Sequence, residues 1–581
     1  MMSYKFLPAL GAIWSAVSLV HSVALGQSHP TVVALAPGVT SGSGAAVSFQ
    51  EFEAEDLLTN GRIVGPDRQF GSLAAEASGR RAVMLSKVGD YVEFTLSAPA
   101  NGLTVRYAVP DGPQGNPVDS SLGVYARGKR IGALQTTSRY GWYYGKYPFS
   151  NNPSDGMGHH FFDHSRILFD RPLPAGTVMR VMRGPTDRAS WYAIDLVDLE
   201  LVPRPLPRPT NAISVVSFGA DPTGRTDARS AFARAIAAAS ASGRILWVPP
   251  GLFRLDGHVM VDRVEVAGAG NWYSILRGNG VGLYGHEAPN YSRAVRIHDL
   301  AIIGEVMERN DQQPLAGIGG AIGGGSVIRD LFIQHVKVGV WLDGPFDGLT
   351  VRNLRVFDTT ADGLNLHRGV SNVLVENNLF RNTGDDGIAS WADEISNHDV
   401  EIRSNTVISP ILANGVAIYG GYGIRVINNL LADSLTEGGG LHVGNRFHAV
   451  PLAGKIELRG NVVVRSGSTD PRLHMGIGAL WLFALDAPIN AQIAIEDNTL
   501  LDSSEEAVLL FGRRIDGMTV NGLRVERAAG HLIELRAPGS ARLAGVQASG
   551  VSSPAVLNCQ AFELSWAESE QGSDMTTTNG C

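Results

Sequence analysis

The chain has only two cysteines in 581 residues, Cys559 and Cys581, so its core cannot rest on a disulfide framework. Charged residues make up 18%, and neither sign is gathered into a block; the net charge of −8 is spread along the chain. The basic stripe of a nucleic-acid binder is missing. After the first 26 residues no apolar run is long enough to span a bilayer. There is no Cys/His metal spacing, no phosphate-cradling glycine loop and no fixed run of leucines at repeat length. These absences exclude a disulfide-built scaffold, a nucleic-acid partner, a polytopic membrane protein and a leucine-rich repeat.

What is present is glycine, at 69 residues, and 44% hydrophobic residues, a turn-dense and β-rich globular composition. The start reads as an export signal. Lys5 gives the positive region and an apolar run follows from Phe6 to about Val23. Ala24-Leu25-Gly26 then places small residues before a cleavage point. A membrane anchor is disfavoured because Ser15, Ser18, His21 and Ser22 break the run. Residues 1–26 are therefore a signal peptide, and the protein is secreted, extracellular or periplasmic, with no membrane partner after cleavage. In that compartment Cys559 and Cys581 are expected to staple the tail, the alternative being two free thiols.

Residues 27–47, nearly uncharged, read as a flexible leader. A first module spans 48–202. Its short alternating segments, such as Asp90–Leu96 and Leu103–Tyr107, predict antiparallel strands and a β-sandwich. Pro203, Pro205, Pro207 and Pro209 make 203–210 a stiff linker. The break predicts that the remainder, from about residue 211, folds and acts alone.

Beyond the linker a helix is expected from about Ala228 to Ala241, capped by Thr226 or Asp227, with Phe232 and Ile236 on one face. A repeat then begins. Apolar strands carry Gly, Asp or Asn at one register from Asp330 to Gly522, at intervals of 23, 25, 27, 24, 32, 37 and 24 residues. That period means a solenoid. Short Val/Ile strands with asparagine at the bends predict an all-β, right-handed parallel β-helix over 211–558, with a tail at 559–581. The helix would close its open apolar end.

The sharpest chemical signal is Ala361-Asp362-Gly363, followed by Gly384-Asp385-Asp386-Gly387. Asp362 and Asp385 are 23 residues apart, one coil, which predicts carboxylates about 4.8 Å apart on one face. Crowded acids cannot all ionise, so at least one pKa should rise. A protonated and an ionised carboxyl side by side are what glycosidic hydrolysis needs. The same motifs also suit ordinary turns or a calcium loop. Around them, Trp391, Tyr419 and Trp481 are candidate sugar-stacking rings, as is Tyr422. Asn365, His367, His442 and Arg446 are candidate hydroxyl partners.

Two resemblances sharpen this reading. Ser217–Asp227 and Val248-Pro249-Pro250-Gly251 resemble the entry signature of the pectate-lyase-like β-helices. The aspartate pair of motifs is similar to glycoside hydrolase family 87, the α-1,3-glucanases and mycodextranases. Gly268–Trp272, Gln334–Trp341 and Gly438–Val443 extend the likeness over roughly 211–510. It implies an inverting glycosidase acting on a neutral α-glucan (α-1,3-glucan or nigeran) with Asp385 as general acid. Asp362 and Asp386 would position and activate water, with no cofactor for catalysis. Polygalacturonases share the fold, but their Gly-His-Gly and Arg-Ile-Lys motifs are absent. Few basic residues lie near the aspartates in sequence, Arg368, Arg381 and Arg425 among them. A polygalacturonase-like hydrolase, a polysaccharide lyase on the same fold and a non-catalytic carbohydrate-binding β-helix remain alternatives.

The first module resembles carbohydrate-binding modules of families 35 and 6. That likeness implies a structural calcium ion on Glu53, Glu55 and Asp195, where the first and last strands meet. Trp142, Tyr144, Tyr147 and Trp191 are its candidate sugar platforms. The whole reads as a monomer whose partner is a polysaccharide.

Overall fold

The alternation in the first module does produce a sandwich. In the computed structural model, which describes residues 42–141, 162–471, 474–567 and 576–581, a six-stranded antiparallel sheet faces a five-stranded one. The first strand, Phe49–Glu53, pairs antiparallel with the last, Tyr192–Glu200. The signal peptide and most of the leader lie outside the described residues, as do Trp142, Tyr144 and Tyr147. Among the described residues no helix is long and apolar enough to cross a membrane.

Two strands of the sandwich break the expected alternation. Ala100–Ala108 and Tyr192–Glu200 are buried at every position. One face meets the sandwich core and the other meets the β-helix, so there is no solvent side to alternate toward. The first module is therefore docked, not tethered. Arg381, fully buried on the β-helix, binds Asp198 at 2.9 Å and also Glu51. Arg106 of the sandwich binds Asp195 at 2.5 Å and Asn382 at 3.0 Å. His164 meets Asp358 at 2.9 Å, and Asp163 meets His335 at 2.7 Å. Arg166 lies between the rings of Trp272 and Phe332. The proline linker therefore joins two domains that share a buried polar interface.

The leader is corrected as well. Residues 43–46 run as a strap across four coils, bonding to Gly460, Asn428, Thr406 and Asn377 in turn.

The solenoid has three parallel sheets of 14, 13 and 13 strands, each strand pairing with its counterpart one coil on. Its apolar interior is continuous from Val215 to Phe562. The helix, Arg229–Ser242, closes the first end with Phe232 and Ile236 buried. Ala228 is its N-cap residue, and Asp227 contributes by accepting from the Arg229 N–H at 3.0 Å. A disulfide joins Cys559 to Cys581.

The bend register is now explicit. Asp330, Asn353, Asn377, Ser404, Asn428, Asp497 and the glycines Gly460 and Gly522 all have positive φ, where Asn, Asp and Gly are favoured. The next residue points inward and is Asn378, Asn405, Asn429, Asn461 and Asn498 on successive coils. Each of the first four side chains donates to the next coil's asparagine at 2.9–3.0 Å. The sequence repeat thus merged two adjacent rows, one of bends and one of buried amides.

Candidate active site

The third sheet carries the aspartates at the entry of its strands. Asp362 precedes Leu364–His367, and Asp386 precedes Ile388–Trp391 on the next coil. Register fixes their relation: Gly363 N–H donates to Asp386 O at 2.9 Å, and Gly387 N–H to Asn414 O at 2.8 Å. Asp362, Asp386 and Asn414 therefore form one row. The expected stacked pair, Asp362 with Asp385, is corrected by one residue: Asp385 sits opposite Ala361, its N–H bonding that carbonyl at 3.2 Å.

Residues 384–387 form a bend between strands, which frees the adjacent aspartates from pointing to opposite faces. Glycine is needed there for closeness. A Cβ on Gly384 would lie 2.4 Å from the Thr360 carbonyl, and one on Gly387 would lie 2.3 Å from Val407. One carboxylate oxygen from each of Asp362, Asp385 and Asp386 lies within 4.8 Å of the others.

The three environments differ. Asp386, 3% exposed, accepts three hydrogen bonds. Asn414 gives its N–H at 2.7 Å and its side-chain NH2 at 2.9 Å to Oδ1, and the Tyr419 hydroxyl donates at 2.8 Å to Oδ2. Burial, and next the charge of Asp385, push its pKa up to about 7 against those donors. Asp362 is buried and receives a hydrogen bond from Asn365 at 3.1 Å. Burial first, then Asp385 and Asp386, hold its carboxyl well above the usual range. Asp385 has a side chain 20% exposed and is gripped at 2.6 Å by Arg309, which also binds Asp311 at 2.7 Å.

The other expected residues sort into two layers. Asn365 and Tyr419 touch the aspartates directly. His367 is half-buried between Trp341 and Trp391 and bonds Asp343 at 2.8 Å and Asp393 at 3.3 Å. Trp391 is half-buried and donates to the Phe447 carbonyl at 3.2 Å. Tyr422 is 40% exposed and stacks on His398, away from the aspartates. Trp481 and His442 are buried and packed against each other at a tilt, with ring centroids 4.0 Å apart, so neither offers an open ring face. Arg446 lies over the rings of Phe447, Trp481 and Phe483. Sequence reasoning missed Asn414 and Arg309. Aligning coils on the glycine after each aspartate would have found Asn414; Arg309 comes from a loop between coils with no motif of its own. The paucity of nearby bases is likewise corrected, since Arg309 is beside Asp385 and Arg381 belongs to the domain interface.

Of the acids expected to hold calcium, Glu53 accepts from Ser78 and Asp195 is bound by Arg106, while one carboxylate oxygen each of Glu53, Glu55 and Asp195 is buried without a hydrogen-bond partner. These three are not among the described groups whose ligand atoms come within 4.8 Å of one another. Trp191 packs against a small cluster that includes Phe162 and Ala193. A cavity of about 380 Å³ lies elsewhere, between the strap, the linker and the bends around Asp299 and Asn353, and holds none of the aspartates.

Three carboxyls converging at one bend of a pectate-lyase-like parallel β-helix are an arrangement suited to glycosidic hydrolysis. The comparisons give the family. Residues 46–202 match the model for α-1,3-glucanase catalytic domain D1, and residues 212–438 the model for rhamnogalacturonase A/epimerase, pectate lyase-like. The catalytic unit of the thermostable α-1,3-glucanase of Streptomyces thermodiastaticus strain HF3-3 is 37% identical, over 93% of this chain and 96% of that one, with a TM-score of 0.82. The Agl-KA catalytic domain is similar in fold, at 23% identity, 92% and 100% coverage and a TM-score of 0.84. So is a family 87 α-1,3-glucanase catalytic domain in complex with nigerose, at 23% identity, 93% and 99% coverage and a TM-score of 0.76. No curated protein sequence matches. The chain belongs to glycoside hydrolase family 87. The sandwich is matched as part of a catalytic unit, and its resemblance to carbohydrate-binding modules finds no support in these matches.

Proposed function

We propose that this protein is a secreted enzyme that hydrolyses α-1,3-glucosidic bonds of a neutral glucan, using Asp362, Asp385 and Asp386 and no cofactor. The carrying observation is the convergence of three aspartates at one bend row of a family 87 chain. The spacing supports it further. In solved structures of a family 87 α-1,3-glucanase bound to nigerose or tetrasaccharides, alanine replaces aspartates 23 residues apart and then adjacent, the spacing of Asp362, Asp385 and Asp386.

Asp385, the most exposed of the three, is placed to protonate the leaving glycosidic oxygen as the C–O bond breaks. Water attacks the anomeric carbon from the opposite side and gives its proton to Asp386, with Asp362 holding that water from the adjacent coil. Three donors on Asp386 favour the anion that a base requires. For Asp385 to carry a proton to the substrate, its contact with Arg309 must open. Inversion normally needs about 6.5–9.5 Å between the acid and base carboxyls. The oxygens here are within 4.8 Å, so inversion rests on the family resemblance together with a swing of Asp385 away from Asp386.

The test is product analysis on α-1,3-glucan, nigeran and dextran, with polygalacturonate as the acidic control. New reducing ends without an unsaturated sugar support hydrolysis, and NMR of the first-formed anomer decides its stereochemistry. An unsaturated product would establish a lyase, and sugar binding without product a binding protein.

A further inference from the structure

We propose that Trp481 controls the ionisation of Asp386 by fixing the side-chain amide of Asn414, which makes Trp481 and Asn414 positioning residues for the base of the reaction. This rests on the reading of Asp386 given above.

The two ends of an amide side chain are nearly the same size, and its surroundings decide which faces which way. At Asn414 the choice is forced. Trp481 Nε1–H donates to its Oδ1 at 2.8 Å, and Gly439 N–H donates to the same atom at 3.0 Å. An indole N–H and a backbone N–H can only donate, so the atom between them must be the oxygen. The NH2 end is thereby turned toward Asp386. Reversed, the amide would set its oxygen against a carboxylate oxygen in a buried site and disfavour the anion.

Trp481 is itself immobilised. It is 3% exposed and held by His442 at 4.0 Å and Phe483 at 5.7 Å. Burial, and next Arg446, keep His442 well below its ordinary pKa, so the ring against Trp481 is neutral. The charged and titratable groups around Asp386 are Asp385, Asp362 and Tyr419. Arg446 acts on Tyr419, and Arg309 on Asp362; Lys337 also bears on Asp362. Phenylalanine at 481 leaves all of them in place and keeps an aromatic ring under Arg446, while removing the N–H that pins Asn414.

The experiment is the pH dependence of kcat/KM in the full-length enzyme. Trp481→Phe is expected to move the acidic limb upward by about one pH unit, the scale of one hydrogen bond to a buried anion. A purely structural loss would scale the rate at every pH and leave the limb where it was. Asn414→Ala should give a similar shift, and the double variant no more than either alone, because both act through one amide. An unmoved limb in an active Trp481→Phe enzyme overturns the proposal, as do fully additive shifts. Should Trp481→Phe fail to fold, an unmoved limb in Asn414→Ala overturns it equally. The functional reading fails separately, through absence of hydrolysis by the unaltered enzyme. In that case the difference in thermal stability between the parent and Asp386→Asn, followed against pH with Trp or Phe at 481, reads the same ionisation without turnover, and identical curves overturn the proposal.

Discussion

Two regions of this molecule bury carboxylates, and they are stabilised differently. At the domain interface the acids meet cations: Glu51 and Asp198 share Arg381, Asp195 binds Arg106, and Glu200 binds Arg355. At the bend row of the third sheet, Asp386 accepts from neutral donors and Asp362 from Asn365; Arg309 pairs with Asp385, and the charges of Arg309 and Lys337 also bear on Asp362. A raised pKa does not separate the two regions. Burial lifts Glu51 to about 7 and Glu76 to about 8 at the interface, as it lifts Asp386 to about 7. What separates them, among the described residues, is that no salt bridge is made to Asp362 or Asp386, and that a neighbouring acid, Asp385, remains partly exposed. A perturbed carboxyl is thus a sign of burial first, and of chemistry only when its partners leave the proton free to move.

The largest effect that tests this contrast is at Asp386. Asp386→Asn should lower kcat by at least about 100-fold, the low end of general acid–base help, measured as reducing ends released at saturating glucan. Removal of the same charge should not destabilise the fold. A carboxyl with a raised folded pKa binds its proton more tightly folded than unfolded, so its unfavourable effect on stability is absent at low pH. That effect grows as pH rises from the unfolded value toward about 7. The melting temperature of Asp386→Asn should therefore equal or exceed the parent's at pH 8, with the gap closing near pH 4.

The interface should respond in the opposite sense. Arg381→Met strands Glu51 and Asp198, and breaking a buried pair typically costs about 3–5 kcal/mol. Urea unfolding should show that loss, with kcat of the surviving folded fraction close to the parent's. For the same reason a chain beginning at residue 211 should fail to fold stably. If Arg381→Met is as stable as the parent, the two regions are not distinguished by their cations.

A smaller loss is expected in the asparagine row. Asn405→Ala removes an amide that bonds Asn429 and Val375 and accepts from Asn378, leaving buried groups unpaired at about 1–3 kcal/mol each. The smallest effect concerns acidity: the acidic limb of kcat/KM in the parent enzyme should fall near pH 7, where Asp386 protonates. A limb below pH 5 would remove Asp386 as the base.

The solenoid was legible because its strands repeat and its bends demand positive φ, a constraint visible as Asn, Asp or Gly at one register. The aspartate motifs were legible for the same reason, being flanked by glycines that close approach requires. The one-residue misalignment of Asp362 with Asp385 arose from counting residues where coils differ in length. Asn414 was passed over because an asparagine before a glycine is ordinary in such a fold. Arg309 and the docking of the sandwich were not legible at all, since both are contacts between segments far apart in sequence. The proline linker carried no sign of the docking, because stiffness between two domains says nothing about the surface they share, which Arg381 and Arg106 bridge.

The strap at residues 43–46 has a consequence in time. Its partners, from Asn377 to Gly460, lie 331 to 417 residues later in the chain. During synthesis residues 43–46 cannot be fastened until the coils that carry Asn377 to Gly460 exist. The sandwich behind it can form its own core early but can find Arg381 and Asp358 only after those coils close. The strap can therefore be fastened only after the coil that carries Gly460 has been made.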